Sequence, residues 1–468
     1  MGKKSSFWEF REMRNLTLDT RTILLSSAAV MMIAFLTFTL MGYFGSNAGL
    51  SEFYNYAEAM KSGSVPYEDF TFGFLPLAMI FITIPSMFTS DPGTYSLIFG
   101  TEAILFITLT LYCAIKLAER LGVNKLSVSL ILMLFVMLCF NNILTRLDIF
   151  VTAFIMLALY LFLSDGRRHT LGYAVMTVAA LIMIYPAIFL LMMAIIDIRK
   201  KPHGPSTLLK GASACGIIAI VSIMPLIIMS VPIGDILSHV WFHGDSGTQI
   251  GTAVAALAGD IAPLGATAEH ISVGYTSDTI GRICGILLPY WTYVCLAVFI
   301  SVLAIMWYRI KPISEVMDPA RIVIVFSAIL LLAFVLLDKV HSTQYVVWPY
   351  MFLPFLMILG KNRMNRVMAI LTASLIVLSV VIPAFSHYDN LFPVINLLRD
   401  VVFVCVFVNL LLFILGKNGA MCFTESVNTN ESDVMEVFVN PVTSTKFEAL
   451  AADDTSDQST CCSTERVL

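Results

Sequence analysis

The chain carries very little charge for its length. Only 13% of its 468 residues are Asp, Glu, Lys or Arg, whereas 58% are hydrophobic, and the mean hydropathy is +0.86. Soluble domains carry about 25% charged residues, and a globule of this size has too little interior to bury so many apolar side chains. The composition therefore excludes a water-soluble protein and predicts an integral membrane protein.

Several sequence features that would indicate other classes of protein are missing. The nine cysteines lie almost wholly in apolar runs or near the C-terminus, at spacings that fit neither a disulfide framework nor a zinc site. No basic stripe of the size that nucleic acid requires is present. The start, MGKKSSFWEFREMRN, lacks the apolar core and cleavage site of a signal peptide, so the first apolar run is expected to remain as an anchor. We expect no metal, no cofactor and no nucleic-acid partner.

Long apolar runs predict an all-α fold, a polytopic helical bundle in the membrane. A helix needs about 20 residues to cross a bilayer. The runs that fit this length, or nearly so, are 22–44, 95–116, 126–143, 148–164, 208–231, 284–308, 321–337, 344–360, 365–384 and 394–415. Two further stretches, 74–89 and 170–197, are interrupted by proline, so we expect about 11–13 membrane segments.

The positions of Lys and Arg predict which side of the membrane each loop faces. Basic residues concentrate at the N-terminus, in short loops and at Lys417, and such loops are typically cytoplasmic. If all of them share one side, 74–89 does not cross, and 170–197 enters and returns as two half-helices that meet at Pro186. Broken helices occur where protein or a wet cavity satisfies the freed backbone groups. The alternative is a proline kink in one tilted helix.

The same topology predicts the domain organisation. Residues 1–21 form a cytoplasmic N-terminus, 22–416 the membrane domain, and 417–468 a disordered acidic cytoplasmic tail. The segments 45–94 and 232–283 lie outside, and loops of this length are usually functional or disordered. Their aromatic residues and helical periodicity favour an ordered structure.

The first outer segment is rich in carboxylates. Its residues from Glu52 to Met60 have the spacing of a helix that lies at the membrane interface, with Phe53, Tyr56 and Ala57 on one face. A carboxylate beside the lipid can act as a general base on a sugar hydroxyl. The alternative for each carboxylate is a solvated helix face. The carboxylates concerned are Glu52, Glu58, Glu68 and Asp69.

Other polar residues lie at the outer ends of apolar runs. Arg146 and Asp148 bracket a boundary between two runs, where charges either pair locally or line an outward cavity. Lys339 begins the segment KVHSTQYVVWP and could bind a lipid phosphate, although Lys and aromatic residues also form ordinary interfacial belts. Glu102 lies inside an apolar run and should face the bundle interior. His239 and His243 are spaced one turn apart, which is a weak signal for a metal.

These segments, in this order and spacing, resemble the GT-C superfamily of membrane glycosyltransferases. YAEAMKSGSVPYEDF and FLPLA follow the first helix, RLD opens a later helix, a Tyr-Pro break follows DGRR, and KVHSTQYVVWP comes last. The similarity covers about residues 20–415 and is greatest to the polyprenyl-phosphate-mannose-dependent alpha-mannosyltransferases. Gly63, Pro66 and Tyr67 match that family's Gly-x-x-Pro-Tyr turn.

The resemblance implies an inverting transfer of a sugar, expected to be mannose, from a polyprenyl-phosphate donor to a lipid or glycan acceptor. The reaction would occur at the outer face of a prokaryotic cell membrane or the lumenal face of an endoplasmic reticulum membrane. Glu52 would be the catalytic base, with Asp69 in reserve. The residues expected to bind the donor phosphate or the substrates are Arg146, Asp148, His243, Gln249, Lys339, His341, Gln344 and Tyr345.

Several charged residues of the family are replaced in this chain. Gly49, Gly73 and Met183 occupy the positions of its aspartate base, of a glutamate and of a lysine, and the second outer loop lacks an Arg and a Glu. The alternative is therefore a catalytically inactive accessory or lipid-binding subunit. Secondary transport would require internal repeats and ionisable groups near the midplane, where we find only Glu102.

Overall fold

The computed structural model describes residues 19–42, 48–199, 204–236, 261–263, 273–275, 293–294, 296–310, 318–337, 347–352, 354–356, 363–384 and 392–415. Nearly all of this part of the chain is helical, which confirms the helical class. The principal helices are α1 (Thr20–Leu40), α2 (Ala48–Lys61), α3 (Ala78–Ser86), α4 (Pro92–Leu121), α5 (Lys125–Leu138), α6 (Phe140–Leu144), α7 (Asp148–Phe162), α8 (Arg167–Ile182), α9 (Ala187–Arg199), α10 (Gly204–Ile228), α11 (Leu296–Ile310), α12 (Pro319–Leu337), α13 (Val347–Tyr350), α14 (Arg363–Ala384) and α15 (Phe392–Leu415).

A small β-ribbon corrects the expectation of a purely helical chain. Strands β1 (Ile261–Pro263) and β2 (Val273–Tyr275) pair antiparallel, with Ala262 opposite Gly274. Each strand has three residues, which is too short to show the alternation of apolar and polar residues that identifies a strand.

Four of the described helices are long and apolar enough to cross a membrane: Thr20–Leu40, Pro92–Leu121, Ser206–Ile228 and Pro319–Leu336. Shorter apolar helices include Lys125–Leu138, Asp148–Phe162 and Leu296–Ile310. The helix α12 is mostly buried among its neighbours, whereas α10 exposes most of its apolar side chains, Ile217 and Val221 among them. A long helix with an exposed apolar surface is compatible with contact to lipid.

Local sequence fixes the ends of the longest helix, α4. Asp91 is its N-cap and accepts hydrogen bonds from the backbone N–H and the hydroxyl of Thr94, at 2.7 and 2.8 Å, and these bonds lower the pKa of Asp91. Pro92 follows in the first turn, where its missing N–H leaves no intrahelical bond unmade. The helix ends at Gly122, whose φ of 65° is the left-handed conformation that glycine adopts readily.

Aromatic side chains hold α3, α4 and α7 together. Phe99 and Phe106 on α4 contact Phe150 and Phe154 on α7, with ring centroids 5.4 and 5.5 Å apart respectively, so the two helices run in the same direction. Phe81 on the nine-residue α3 packs against Phe150 at 5.1 Å. At 1.5 Å per residue α3 is about 14 Å long, which is too short to cross a bilayer.

One end of the bundle collects polar and charged helix termini, and we call it the charged end. Its main members are Thr20, Lys116, Glu119, Arg120, Lys125, Arg168, His169, Asp197 and Arg199. The hydroxyl of Thr20 and the ammonium of Lys125 both donate to Oε1 of Glu119, at 3.0 and 3.2 Å. These bonds join the beginning of α1, the end of α4 and the beginning of α5.

The same end includes the C-terminal ends of later helices. Arg199 at the end of α9 lies 5.0 Å from the ring centroid of Trp307 near the end of α11. Arg309, two residues further on, donates to the carbonyl of Ile414 at the end of α15 at 2.8 Å. The beginning of α1, the end of α15 and the described basic residues at 116–125, 165–169, 198–199 and 309 thus lie together, as predicted for these segments.

The chain reverses at Pro186. His169 in the first turn of α8 is 2.9 Å from the carboxylate of Asp197 in the last turn of α9, so these helices run antiparallel. The alternative of a proline kink in one continuous helix is therefore wrong. Two carbonyls freed at the end of α8, those of Leu181 and Ile182, accept the N–H groups of Leu77 and Leu75, at 3.0 and 3.4 Å.

The helices α7 and α8 approach closely at Gly172. A Cβ atom built on Gly172 would lie 2.7 Å from the backbone nitrogen of Phe162 and 2.9 Å from the carbonyl oxygen of Ala158. Only glycine allows the two backbones to come this near, as small residues do at helix interfaces in membranes.

Candidate functional site

Residues 48–94, which the sequence predicts to lie outside, contain the helix and turn expected of them. In α2 the side chains of Phe53 and Ala57 are buried. Glu52 is half-buried on the neighbouring face, where its carboxylate accepts a hydrogen bond from the hydroxyl of Tyr56 at 2.5 Å. Tyr56 in turn stacks on Phe70. Glu52 is thus a carboxylate with one donor, held at the surface by an aromatic neighbour.

Asp69 has a structural role in the turn after α2. Its carboxylate accepts the N–H of Val65 at 2.6 Å, and its own N–H donates to the carbonyl of Val65 at 2.9 Å. Tyr67 within this turn has a φ of 71°, and its buried hydroxyl donates to the carbonyl of Phe74 at 2.6 Å. Burial raises the pKa of Tyr67, so this hydroxyl stays protonated and keeps the turn closed.

A buried polar cluster lies at the end of the bundle opposite the charged end. We call it the Asp148 cluster; its members are Asp148, Thr152, Tyr185, Phe334 and Trp348. The indole N–H of Trp348 donates to Oδ1 of Asp148 at 2.7 Å, across 200 residues of sequence. Both side chains are 2% exposed. A charge-assisted hydrogen bond in such surroundings fixes the two segments firmly relative to each other.

Aromatic stacking extends the cluster to the proline break. The ring of Tyr185 lies on that of Trp348, with centroids 3.9 Å apart and an interplanar angle of 19°. Phe334 of α12 contacts both rings, at 5.9 and 6.0 Å. Three segments that the resemblance singles out therefore meet here: RLD, the Tyr-Pro break and the end of KVHSTQYVVWP.

On α7, Oδ2 of Asp148 and the hydroxyl of Thr152 have no hydrogen-bond partner among the described residues, and they stand one helical turn apart. Arg146, half-buried before the helix, interacts favourably with the charge of Asp148. Buried polar groups normally form hydrogen bonds. An acceptor and a hydroxyl that form none within the described part of the chain distinguish the cluster from an ordinary hydrophobic core.

The two base candidates lie near the cluster but outside it. Phe53, next to Glu52, packs on Phe99 at 5.4 Å, and Phe99 packs on Phe150 at the start of α7. Aromatic ring contacts therefore connect α2, which carries Glu52, to α7, which begins at Asp148. Among the described residues, the hydrogen bonds of Glu52 and Asp69 go to Tyr56 and Val65, and none joins either carboxylate to the cluster.

The remaining predicted site residues lie outside the described residues. They are His243, Gln249, Lys339, His341, Gln344 and Tyr345. His239 lies outside as well. Glu102 is described, and it is half-buried on α4 with its Oε2 atom fully enclosed and without a hydrogen-bond partner in the described part of the chain. Its inward orientation agrees with the prediction from its apolar run.

The sequence reasoning missed a second polar network, at the charged end. The carboxylate of Asp197 contacts the ring of His169 at 2.9 Å and accepts the hydroxyl of Tyr173 at 2.8 Å. Burial lowers the pKa of His169, but the hydrogen bond and charge of Asp197 outweigh burial, and the pKa is raised overall. The signal available in the sequence was Asp197 itself, an aspartate at the end of the apolar stretch 170–197.

The described ranges contain no group of three His, Cys, Asp or Glu side chains placed to bind a metal ion. No family model matches the chain, and comparison with curated proteins finds no match. The resemblance to the GT-C superfamily is therefore a hypothesis based on the residues of this chain alone.

Proposed function

We propose that the protein is a multi-pass membrane glycosyltransferase that transfers a sugar, mannose by resemblance, from a polyprenyl-phosphate donor to a lipid or glycan acceptor. The observation that carries the proposal is the Asp148 cluster. Asp148, Tyr185 beside the proline break and Trp348 come from three distant segments of the GT-C-like pattern, and they meet at one end of the bundle. A shared site for those segments requires such a meeting.

The membrane placement is supported by the two ends of the bundle. Basic side chains gather at the charged end, which we assign to the cytoplasm. The helix α7 begins in the Asp148 cluster and ends beside His169, so its 15 residues separate these sites by about 21 Å. The cluster then lies toward the outer face, in a prokaryotic cell membrane or an endoplasmic reticulum membrane.

Glu52 is the proposed catalytic base. It would take the proton of the acceptor hydroxyl, whose oxygen attacks the anomeric carbon while the bond to the lipid phosphate breaks. The hydrogen bond from Tyr56 orients the carboxylate and leaves its other oxygen available for the acceptor. Arg146 and Lys339 supply positive charge for the leaving phosphate, an interaction that strengthens as the bond breaks.

Asp148 acts in this proposal as a positioning residue. It holds Trp348, which lies nine residues after Lys339 in the segment KVHSTQYVVWP. The buried hydrogen bond and the stacking on Tyr185 fix one end of that segment, and His341, Gln344 and Tyr345 belong to the same stretch. A fixed anchor near donor-binding side chains is what a preorganised site requires.

A non-catalytic accessory or lipid-binding subunit is the second candidate. The observation that favours it is that Asp69 is used to close a turn, and that Gly49, Gly73 and Met183 stand where the family has charged residues. Such a protein would keep the scaffold and the Asp148 cluster without transferring sugar.

Sugar transfer from a radiolabelled polyprenyl-phosphate-mannose, in membranes that contain the expressed chain, tests the proposal. We expect Glu52→Gln to lower the rate by at least about 100-fold, because general-base catalysis contributes about 10²–10⁴-fold. Lys339→Ala should lower it by roughly tenfold or more, since it removes charge from the leaving phosphate.

Glu58→Gln is the matched control. Glu58 lies on the same helix in an exposed pair with Lys61 at 3.3 Å, and the variant should transfer at the wild-type rate within about twofold. Undiminished transfer by both Glu52→Gln and Lys339→Ala would refute the site assignment. Absence of transfer by the wild-type chain in membranes where it is present and folded would favour the accessory subunit.

A further inference from the structure

An open groove lies at the charged end, away from the Asp148 cluster. Its volume is about 610 Å³, within the usual range for ligand sites. It runs between the ends of α4 and α7 and the beginning of α8. The lining residues are Lys116, Glu119, Arg120, Tyr160, Ser164, Asp165 and Arg168.

The basic groups of the groove differ in how far they are already paired. Glu119 binds Lys116 at 2.8 Å and Lys125 at 3.2 Å, so its negative charge is shared between two ammonium groups. Arg120 and Arg168 form no hydrogen bond or ion pair within the described part of the chain, and both are exposed. Two guanidinium groups thus line the groove without a partner among the described side chains.

Asp165 is the opposing charge in the lining. Its charge helps to raise the pKa of His169, after the larger effects of burial, which lowers it, and of Asp197. The groove lining keeps one net positive charge, from three bases and two acids. Tyr160 and Ser164 add neutral polar side chains to the lining; the hydroxyl of Ser164 donates to the carbonyl of Tyr160 at 3.1 Å, so its oxygen is left to accept a hydrogen bond from a ligand. Arginine pairs with phosphate oxygens through two parallel N–H bonds, and hydroxyls complete such sites.

The position of the groove narrows the choice of ligand. It lies directly beyond apolar stretches of α4 and α7, where the headgroups of a cytoplasmic leaflet would be. Basic pockets between helices on that side of a membrane bind anionic headgroups. A phosphate with attached acyl chains would place its charge between the arginines and its chains along the exposed apolar helix surface nearby.

We propose that this groove binds the phosphate headgroup of an anionic phospholipid of the cytoplasmic leaflet. Arg120 and Arg168 hold the phosphate oxygens, and the hydroxyls of Tyr160 and Ser164 contact the rest of the headgroup. The proposal depends on the membrane placement of the charged end and not on sugar transfer. It would remain if the protein proved to be an accessory subunit.

Binding can be measured by native mass spectrometry of the full chain in detergent micelles, titrated with phosphatidylglycerol or phosphatidylcholine of the same acyl chains. We expect the wild type to bind phosphatidylglycerol more tightly than phosphatidylcholine. The Arg120→Gln/Arg168→Gln variant should lose roughly 30-fold in affinity for phosphatidylglycerol, since each surface arginine contributes about 1 kcal/mol toward anionic lipid and about 1.4 kcal/mol corresponds to tenfold. Phosphatidylcholine binding should change by less than about twofold.

Arg21→Gln/Arg167→Gln is the matched control, because both residues lie at the same end and neither lines the groove. The affinity of this control variant for phosphatidylglycerol should fall by less than about threefold. An equal loss in the control would show attraction to surface charge alone and overturn the proposal. Inorganic phosphate, added at constant ionic strength, should not displace the lipid. If phosphate displaced it, and the chain showed no preference between the two lipids, the ligand would be a soluble phosphate compound and the proposal would be overturned.

A separate measurement keeps the two proposals distinguishable. Extraction of the membranes with alkaline carbonate should leave the chain in the pellet, and release into the supernatant would remove the basis of the lipid site. Normal sugar transfer by the Arg120→Gln/Arg168→Gln variant would show that its fold is intact, and size-exclusion elution would show the same if the wild type has no transferase activity.

Discussion

Asp148 in its cluster and Glu119 at the charged end are carboxylates used in opposite ways. Asp148 is almost fully buried, and the side chain that donates to it in the described part of the chain is an indole 200 residues away, that of Trp348. Glu119 has a side chain that is 35% exposed, and it contacts Thr20, Lys116 and Lys125. Removing the hydrogen-bond partner of a buried carboxylate lowers the stability of a protein strongly. Removing one of several partners of a solvated carboxylate lowers it little.

This difference indicates what each end is suited to do. The Asp148 cluster joins α7, the α8–α9 break, α12 and α13 by contacts that exclude solvent, so it can hold a site in one geometry. The charged end keeps Arg120 and Arg168 exposed beside an open groove, so it can bind and release a charged ligand. The rigid Asp148 cluster and the accessible groove thus lie at opposite ends of α7.

The largest expected difference between the ends comes from removing one tryptophan at each. Trp348→Ala should lower the free energy of unfolding by about 4 kcal/mol, because it deletes a buried ring and the partner of Asp148. Trp307→Ala at the charged end should cost less than about 1 kcal/mol, since this ring is 42% exposed and contacts Arg199. Titration of the purified chain with dodecyl sulfate measures both. Equal losses would contradict the contrast between the ends.

A smaller effect should distinguish two replacements of Asp148. Asp148→Ala leaves the indole N–H of Trp348 buried without this acceptor and should cost about 2 kcal/mol. Asp148→Asn keeps an acceptor oxygen and removes the buried charge, so it should cost less than about 1 kcal/mol. The same unfolding titration compares them. If both variants were equally stable, the hydrogen bond to Trp348 would not be what holds the cluster.

The charged end should show a pH dependence. The pKa of His169 is raised in the folded chain above its ordinary value of 6.5, mainly through Asp197 acting against burial. A raised pKa means that the contribution to stability is complete below the unfolded pKa and is lost as the pH rises through the folded pKa. We expect His169→Gln to destabilise the chain by about 1 kcal/mol at a pH near 5.5, and by less at a pH near 8.5.

The groups that face His169 provide the controls for this prediction. Asp197 and Asp165 contribute negative charge, and Tyr173 shares the carboxylate of Asp197. Asp197→Asn should remove most of the pH dependence, whereas Asp165→Asn, at an exposed position, should reduce it slightly. A wild-type chain that gains stability with rising pH over this range, relative to His169→Gln, would show that the sign is wrong.

The smallest effect is expected for the ion pairs on the surface. Lys125→Met removes one of the contacts of Glu119 and should change the free energy of unfolding by about 0.5 kcal/mol or less, with the difference shrinking at high salt. Unfolding titrations at two salt concentrations test this. A loss as large as that of Asp148→Ala would mean that the two ends do not differ in how they use charge.

Much of the fold could be predicted from the sequence. The apolar runs located the helices α1, α10, α12, α14 and α15 to within a few residues, and the pattern around Phe53 and Ala57 indicated the buried face of α2. The run 344–360 was wrong as one spanning helix, because in its described part the four-residue α13 is followed by a turn. The break at Pro186 was predicted because proline lacks an N–H, and the position of basic residues indicated that the chain returns after it. Each of these signals acts within a few residues of the structure it determines.

The candidate site was predictable only in its parts. Asp148, the proline break and KVHSTQYVVWP each stood out, but nothing in the sequence stated that Trp348 is the partner of Asp148 or that Tyr185 stacks on it. The pairing of His169 with Asp197 and the convergence of Arg120 and Arg168 on one groove were likewise not predicted. These contacts depend on how helices pack, and one glycine, Gly172, decides how closely α7 and α8 approach.

The sequence by itself determined that this is an apolar, helical chain with few charges, where its helices lie and where one of them breaks. These properties follow from side-chain hydrophobicity, its periodicity and the chemistry of proline, which are local. The tertiary structure alone decided which charged groups are solvated, as Glu119 is, and which are buried, as Asp148 is. Whether a carboxylate is covered by an indole or surrounded by lysines depends on residues that are distant in sequence and brought together only by packing.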